Sequence, residues 1–119
     1  RNESVFYDST CDQFERSGIY PNGSINQFWQ GKKVVSERSI RQLEKMINLT
    51  KRGFRFIVLF IVNRDDCYVF KPNWQRDPIY SEYLNKAFDI GIDIIAVKLN
   101  WINNKCYFNN KIKIDLKKW

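Results

Sequence analysis

The side chains that could do chemistry in this chain are carboxylates and lysines, because the sequence contains no histidine. A chain without histidine cannot build a Ser-His-Asp triad, a Cys-His pair or a His-ligated metal site. No glycine-rich phosphate loop occurs in the sequence either. What remains is the chemistry in which acidic side chains hold Mg²⁺ while a lysine steadies the attacked phosphate or activates water.

One pair of residues has the spacing that this chemistry needs. Asp115 and Lys117 are two residues apart in the sequence Asp115-Leu116-Lys117, and residues two apart share one face of a β-strand. The spacing therefore predicts an acid and a lysine side by side on a strand. The same spacing is also expected by chance on an exposed, lysine-rich strand. We predict no catalytic residue and no metal ligand in this chain.

The excess of basic over acidic residues is a first indication of the kind of partner that the chain binds. The net charge is +7 and the pI is about 9.4, which favours polyanions, and nucleic acid above all, through phosphate neutralisation. Further cations lie in the last turn of the predicted helix, at Lys51 and Arg52, or decorate the last strand. The residues predicted to contact nucleic acid are Lys32, Lys33, Arg38, Arg41 and Lys45.

The same cations have a plain structural interpretation. A basic helix face is often only solvated, and lysines on a terminal strand protect a sheet edge from pairing. Arg38 could equally form a structural ion pair with a neighbouring carboxylate such as Asp12 or Glu15. The helix and the last strand would form one binding surface only if they shared a face.

The cysteines indicate the redox compartment in which the protein is expected. Cys11, Cys67 and Cys106 are an odd number and have no C-x-x-C spacing, which argues against a disulfide framework and against a zinc site. We expect free thiols in a reducing compartment. The predicted location is intracellular, either cytoplasmic or nuclear.

Apolar periodicity indicates the elements that hold these residues. Residues 36–53 have apolar side chains at helical spacing, with Ser36 as the N-cap, Gly53 at the end, and Lys51 and Arg52 in the last turn. Residues 54–62 are apolar except for Arg55 and predict a central strand with both faces covered.

A second helix is predicted after the first strand. Asp77 can accept hydrogen bonds from the first helical amides, and Pro78 suits the first helical position. Gly91 ends this helix, and residues 92–99 predict another strand. Residues 111–117 alternate between charged and apolar side chains and predict a half-exposed terminal strand. The predicted turns before it are Asn103-Asn104 and Asn109-Asn110.

Length and hydropathy limit the architecture. The chain has 119 residues, of which 44% are hydrophobic, so it can bury one core. We predict a single domain over residues 1–119, with an irregular or insertion-bearing lead-in over 1–35. No apolar run has the roughly 20 residues of a membrane span. The chain starts at Arg1 without a visible signal peptide and is expected to be a piece of a larger protein.

Taken together, these segments resemble the sugar fermentation stimulation protein family from residue 36 onward. Residues 36–43, Ser-Glu-Arg-Ser-Ile-Arg-Gln-Leu, are similar to the family segment T-x-R-G-x-K-H-L, and Tyr20-Pro21-Asn22 is similar to its F-P-D motif. The other segments that carry the resemblance are the run from Gly53 to Arg64, Phe70-Lys71-Pro72, Asp77-Pro78-Ile79-Tyr80, and the separate residues Leu84, Ala87, Gly91 and Ala96.

The resemblance implies an α/β domain with a mixed β-sheet and two main helices, similar to the later half of a PD-(D/E)XK nuclease-like domain. It also implies an association with DNA. The chain departs from the family at Asn22, Ser39 and Gln42, where the family has aspartate, glycine and histidine. The family's E-x-K tripeptide occurs nowhere in this sequence. The nuclease centre is therefore missing here, whether through truncation or through loss.

Two classes of function remain open at this stage. The first is a DNA-binding, nuclease-like domain that is inactive alone and forms an active or degenerate nuclease together with upstream residues. The active form would be a metal-dependent nuclease that takes Mg²⁺. The second is a non-catalytic regulatory or protein-interaction domain. We expect no cofactor in this chain and no membrane partner. We also expect self-association through a sheet edge that the missing upstream part would otherwise cover.

Overall fold

The computed structural model describes residues 4–8, 10–12, 17–63 and 66–119. It contains nine strands and two helices in these residues. In chain order they are β1 (Ser4–Asp8), β2 (Thr10–Asp12), β3 (Ser17–Tyr20), β4 (Gln27–Trp29), β5 (Lys32–Val34), α1 (Glu37–Thr50), β6 (Ile57–Val62), β7 (Val69–Pro72), α2 (Pro78–Asp89), β8 (Asp93–Ile102) and β9 (Lys105–Ile114).

Seven of the strands form one sheet in the order β1-β6-β8-β9-β7-β3-β2, and β4 and β5 form a separate hairpin. The pairs β1–β6, β6–β8, β7–β9 and β3–β7 are parallel, whereas β8–β9 and β2–β3 are antiparallel. The predicted α/β fold with a mixed sheet and two main helices is thus confirmed. The lead-in was expected to be irregular, but residues 4–34 contribute five short strands.

The core lies between the two helices and one face of the sheet. In β6 the buried side chains Val58, Phe60 and Val62 alternate with half-buried ones. The Phe60 ring stacks on Phe70 with a centroid distance of 4.1 Å. The predicted strand with two fully covered faces is therefore a strand with one buried and one half-covered face. It also starts at Ile57, three residues later than predicted.

The helices begin where the sequence predicts. Ser36 caps α1 and Asp77 caps α2, which has Pro78 in its first turn. Gly91 has a φ of 99° just after α2, the left-handed conformation that glycine adopts without a steric penalty. The cations predicted for the last turn of α1 were placed wrongly, because that helix ends at Thr50 and Lys51 and Arg52 follow it.

The end of the sheet differs from the sequence prediction in two places. Asn103 and Asn104 form the predicted turn, with φ values of 50° and 62°. The turn predicted at Asn109-Asn110 is wrong, because both residues lie inside β9. Lys98 pairs with Asn110 and Leu99 pairs with Phe108, so Asn109 is the extra residue of a β-bulge. None of the helices in the described residues is long and apolar enough to span a membrane.

Candidate functional site

Three of the five predicted contact residues share one side of α1. The Ser36 side chain accepts a hydrogen bond from the Ser39 amide at 3.3 Å, and this cap fixes the start of the helix. Residues three, four and seven apart lie on one helical face, so Arg38, Arg41 and Lys45 point in the same direction. All three are exposed. The structure therefore places these three cations on one face of α1.

Carboxylates neutralise only part of this face. Arg41 forms an ion pair with Glu37, one turn earlier on the same helix. Within the described part of the chain, neither Arg38 nor Lys45 has a carboxylate within ion-pair distance. The side chains of Asp12 and Glu15, the alternative partners considered for Arg38, lie outside the described residues. Among the described residues, two of the three cations therefore have no carboxylate partner.

The other two predicted residues lie in the β4–β5 hairpin next to the start of α1. The side chain of Gln27 in β4 accepts a hydrogen bond from the Glu37 amide at 2.9 Å, which fixes the hairpin to the first turn of the helix. Lys33 pairs with Phe28 across the hairpin, so both lie on its outer face, where both are exposed. Lys32 is exposed beside the hairpin turn. The hydrogen bond between Gln27 and Glu37 thus places the hairpin that carries Lys32 and Lys33 against the first turn of α1.

A buried carboxylate joins the starts of the two helices. Asp77 is fully buried; one of its oxygens accepts from the Tyr80 amide of α2 at 2.9 Å, and the other accepts from the Val35 amide at 3.0 Å. Val35 directly precedes the cap of α1. Burial raises the pKa of Asp77, although the hydrogen bonds from the backbones of Tyr80, Val35 and Ser36 act in the opposite direction. The carboxylate serves as a cap for one helix and an anchor for the other.

The segment that resembles F-P-D lies against this junction. The Tyr20 hydroxyl is 2.7 Å from the Ser39 hydroxyl, which in turn is 2.8 Å from the hydroxyl of Ser36. Burial raises the pKa of Tyr20, whereas its hydrogen bond to Ser39 and the charge of Arg38 lower it. Three of the segments that resemble the family, residues 20–22, 36–43 and 77–80, therefore meet at one place. The chain has no histidine, and the three hydroxyls hydrogen-bond to one another, so we assign them a structural role.

Asp115 and Lys117 do not form the predicted pair on a strand. The strand β9 ends at Ile114, and the Lys117 amide donates to the Asp115 side chain at 3.1 Å, which makes a local turn. Both residues line a cleft of about 400 Å³ that also contains Asp89. Among the described residues, no group of three or more His, Cys, Asp or Glu side chains is arranged to hold a metal ion. The residues of this cleft do not fit a Mg²⁺ site.

The cysteines differ from the sequence prediction. Cys67 is fully buried and disulfide-bonded, and its partner lies outside the side chains that the structure describes. Cys106 is a free, exposed thiol, as predicted. The expectation of free thiols is thus wrong for Cys67. Cysteines far apart in the sequence show no pairing signal, because their proximity depends on the fold.

One exposed feature had no counterpart in the sequence prediction. Trp101, Ile102, Tyr107 and Phe108 lie at the far end of the β8–β9 hairpin, and each is about half exposed or more. An alternation of apolar and polar residues could not reveal them, because both faces of the hairpin carry large apolar side chains. The available signal was compositional: residues 94–114 contain four lysines and no acidic residue.

The chain is similar in sequence to proteins described as sugar fermentation stimulation protein homologs. Residues 33–105 match the family described as "Sugar fermentation stimulation protein RE domain". The chain is 34% identical over 79 residues to a sugar fermentation stimulation protein homolog of Sulfolobus acidocaldarius, covering 66% of this chain and 35% of that protein. It is 37% identical over 76 residues to the homolog of Desulforamulus reducens, covering 60% of this chain and 32% of that protein. The chain thus spans about a third of the length of these curated relatives.

A solved structure has the same fold. The structure described as Pyrococcus furiosus SfsA in complex with Ca²⁺ superposes with a TM-score of 0.79 at 20% sequence identity, over 96% of this chain and 45% of that one. The sequence match, which extends from Lys33 in β5 to Lys105 in β9, includes both helices and the junction that Asp77 makes between them. The chain therefore belongs to the sugar fermentation stimulation protein family.

Proposed function

We propose that this chain is a nucleic-acid-binding domain that contacts the phosphates of DNA through Lys32, Lys33, Arg38, Arg41 and Lys45. The observation that carries the proposal is the exposed α1 face, on which Arg38 and Lys45 have no carboxylate partner among the described residues. Unpaired cations on one rigid helix face can neutralise neighbouring phosphates without first breaking an ion pair. The capped start of α1 and the Gln27–Glu37 hydrogen bond fix the relative positions of helix and hairpin.

Arginine and lysine contribute differently to this surface. A guanidinium can donate two parallel hydrogen bonds to one phosphate, whereas an ammonium acts as a point charge. Arg38 is therefore the residue that fixes orientation, and Lys45 adds attraction. Arg41 must share its charge between Glu37 and a phosphate, so its contribution is smaller.

DNA rather than RNA is proposed because the family resemblance implies an association with DNA. We expect no hydrolysis of DNA or RNA by this chain alone in Mg²⁺ or Mn²⁺. A complete protein would need acidic residues from outside the described part to hold a hard divalent cation. The solved relative, described as a complex with Ca²⁺, supports such a site in the complete protein. Cleavage that disappears in Asp115→Ala would contradict this assignment.

The test is a salt series of binding to a fluorescein-labelled blunt-ended duplex, followed by anisotropy. The triple variant R38A/R41A/K45A is compared with K51A/R52A/R55A, which removes the same charge from exposed positions after α1. We expect the first variant to reduce the slope of log affinity against log salt by about 0.9 for each phosphate that it no longer neutralises. The control variant should reduce the slope by a smaller amount.

The competing function gives different results in the same experiment. A regulatory or protein-interaction domain would not bind the duplex even at low salt. Equal losses of affinity in the two triple variants would show that net charge, rather than the α1 face, attracts the DNA. Either result would remove the proposed site.

Self-association is proposed as a second property of the isolated chain. The strands β1 and β2 lie at the two ends of the sheet order, and an end strand has backbone groups that can pair with another chain. Sedimentation velocity over a range of concentrations should show reversible dimers, by strand pairing or by exchange of residues 1–30. A monomer at all concentrations would contradict it.

A nucleic-acid partner also implies a location in the cytoplasm or nucleus. Disulfides are rare in such reducing compartments, so the disulfide of Cys67 makes a direct test of the location necessary. Alkylation of free thiols in denaturant at the moment of lysis, which exposes the buried Cys67, followed by mass spectrometry, tests the location. A modified Cys67 supports a reducing compartment, and an unmodified one argues against it.

A further inference from the structure

The far end of the β8–β9 hairpin projects beyond the rest of the sheet. The pairing of β6 with β8 ends at Val62 and Lys98, and the pairing of β7 with β9 begins at Val69 and Lys113. Within the described part of the chain, residues 99–108 therefore pair only with each other. We call these residues the arm. A two-stranded ribbon has no sheet neighbour to bury its side chains.

The arm exposes large apolar side chains in water. Trp101 is 59% exposed, Phe108 is 65%, Ile102 is 55% and Tyr107 is 49%. Single exposed hydrophobic residues are common on proteins, but a contiguous group of them marks an interaction site. The arm is thus built to contact something other than its own core.

The bulge at Asn109 determines which side chains share a face of the arm. Cross-strand partners lie on the same face of a sheet, so Leu99 and Phe108 share one face, as do Val97 and Lys111. Val97, Leu99 and Trp101 are two apart along β8 and therefore also lie on that face. The face consequently presents two aromatic rings at Trp101 and Phe108, followed by the exposed ammonium of Lys111. Without the extra residue, Phe108 and Lys111 would point to opposite sides.

The charge of this region indicates the partner. Residues 94–114 contain four lysines and no aspartate or glutamate. A second copy of the same positively charged arm would be repelled, whereas a polyanion would be attracted. A partner that is both anionic and flat enough to cover exposed aromatic rings is a nucleic acid with unpaired bases, because bases stack on aromatic side chains.

We propose that the arm binds single-stranded nucleic acid, with bases stacked on Trp101 and Phe108 and a phosphate on Lys111. This inference rests on the proposed function only in taking nucleic acid as the partner, since the α1 face contacts phosphates and the arm contacts bases. The two sites would allow one domain to hold a duplex and an adjoining unpaired strand.

The test compares a labelled oligothymidylate with the blunt duplex. The variant W101A/F108A removes both rings, W101F/F108Y keeps aromatic rings, and F88A removes an equally exposed ring from α2 as the control. We expect W101A/F108A to weaken binding of the oligothymidylate by roughly tenfold or more, with duplex binding changed less than twofold. The aromatic variant and the control should stay close to the original protein.

A second measurement uses Cys106, which pairs with Trp101 across the arm and shares its face. Bound oligothymidylate should slow alkylation of this exposed thiol, and the duplex should not. Unchanged oligothymidylate binding in W101A/F108A, or unprotected Cys106 at saturation, would overturn the proposal. A lower sedimentation coefficient for W101A/F108A would instead identify the arm as an interface between copies.

The two sets of variants separate the two proposals. Failure of the α1 site appears as duplex binding that R38A/R41A/K45A does not alter. Failure of the arm appears as oligothymidylate binding that W101A/F108A does not alter. Each result leaves the other site to be judged on its own variant.

Discussion

Two regions of the molecule place polar and apolar groups in opposite ways. One is the junction at which the two helices start, and the other is the arm. At the junction, Asp77 and Ser39 are buried and each is hydrogen-bonded. On the arm, Trp101 and Phe108 are large and apolar, yet more than half exposed. Buried polar groups must find partners inside the protein, whereas exposed apolar groups gain by finding one outside. The comparison indicates that the motif-like residues hold the fold, whereas the proposed site for single strands lies on a hairpin without such motifs.

The largest effect is expected at the junction, from Asp77→Ala. This change leaves the amides of Tyr80 and Val35 without their acceptor and removes the cap of α2. We expect a loss of about 2–4 kcal/mol in the free energy of unfolding, measured by urea denaturation. Asp77→Asn should lose about half as much, because its amide oxygen can still accept from Tyr80. Asp115→Asn, which alters a half-buried carboxylate in a turn after β9, is the control, and an equal loss there would contradict the special role of Asp77.

The same carboxylate predicts a dependence on pH. Burial raises the pKa of Asp77 above its ordinary value of 3.8, so the native state holds the proton more tightly than the unfolded state does. The stability that Asp77 contributes is therefore fully present below pH 3.8 and falls as the pH rises through the raised pKa. The difference in unfolding free energy between the original protein and Asp77→Asn should decrease over that range. An increase would show that the backbone hydrogen bonds outweigh burial.

Arg38 lies beside the junction, but we expect its removal to affect binding and not stability, as we expect for the aromatic rings of the arm. It is exposed and has no carboxylate partner among the described residues, so Arg38→Ala should leave the melting temperature nearly unchanged. Duplex binding should weaken by about tenfold, equivalent to about 1.4 kcal/mol. Arg38→Lys should recover only part of the loss, because lysine cannot donate two parallel hydrogen bonds. Arg52→Ala is the matched control.

The opposite outcome would reassign Arg38 to the junction. A large fall in melting temperature with binding intact would show that Arg38 has a structural role at the junction. Calorimetry and anisotropy on the same preparation are sufficient to distinguish the two roles.

Local signals in the sequence predicted the elements that depend on few residues. The caps Ser36 and Asp77, the proline after Asp77, and the Asn103-Asn104 turn each act within a few residues, and the structure confirms each of them. The family was recognised from the same segments. The sequence therefore identified α1, α2 and the basic face that α1 carries.

Features that depend on distant partners escaped prediction. Asn109-Asn110 has turn composition, but its pairing with β8 holds it in a strand as a bulge. The strands in residues 4–34 are short, and each depends on pairing with another strand. The pairs are β1 with β6, β3 with β7 and β2, and β4 with β5. Cys67 shows no pairing signal, and Asp115-Lys117 lies beyond the end of its strand. The arm was missed because exposure on both faces removes the alternation that marks a strand.

A smaller effect is expected for the Tyr20–Ser39 hydrogen bond. Tyrosine and serine stand where the similar family segments have phenylalanine and glycine, so the two departures contact each other. In a double-mutant cycle of Tyr20→Phe and Ser39→Ala, we expect a coupling energy of about 1 kcal/mol. The control cycle is Tyr83–Glu44, a longer and less buried contact at 3.3 Å, with less than about 0.5 kcal/mol expected. Equal coupling in both cycles would show that burial does not strengthen the bond.

The smallest effect on stability is expected from the arm itself. Trp101 and Phe108 are more than half exposed and lie where the hairpin has no sheet neighbour. Removing both rings in W101A/F108A should therefore change the free energy of unfolding by less than about 0.5 kcal/mol, since surface side chains contribute little to stability. Urea denaturation checks this with the same variant that the binding test uses. A loss above about 1 kcal/mol would mean that the rings pack against the arm in solution, and the arm would then belong with the junction as a structural element.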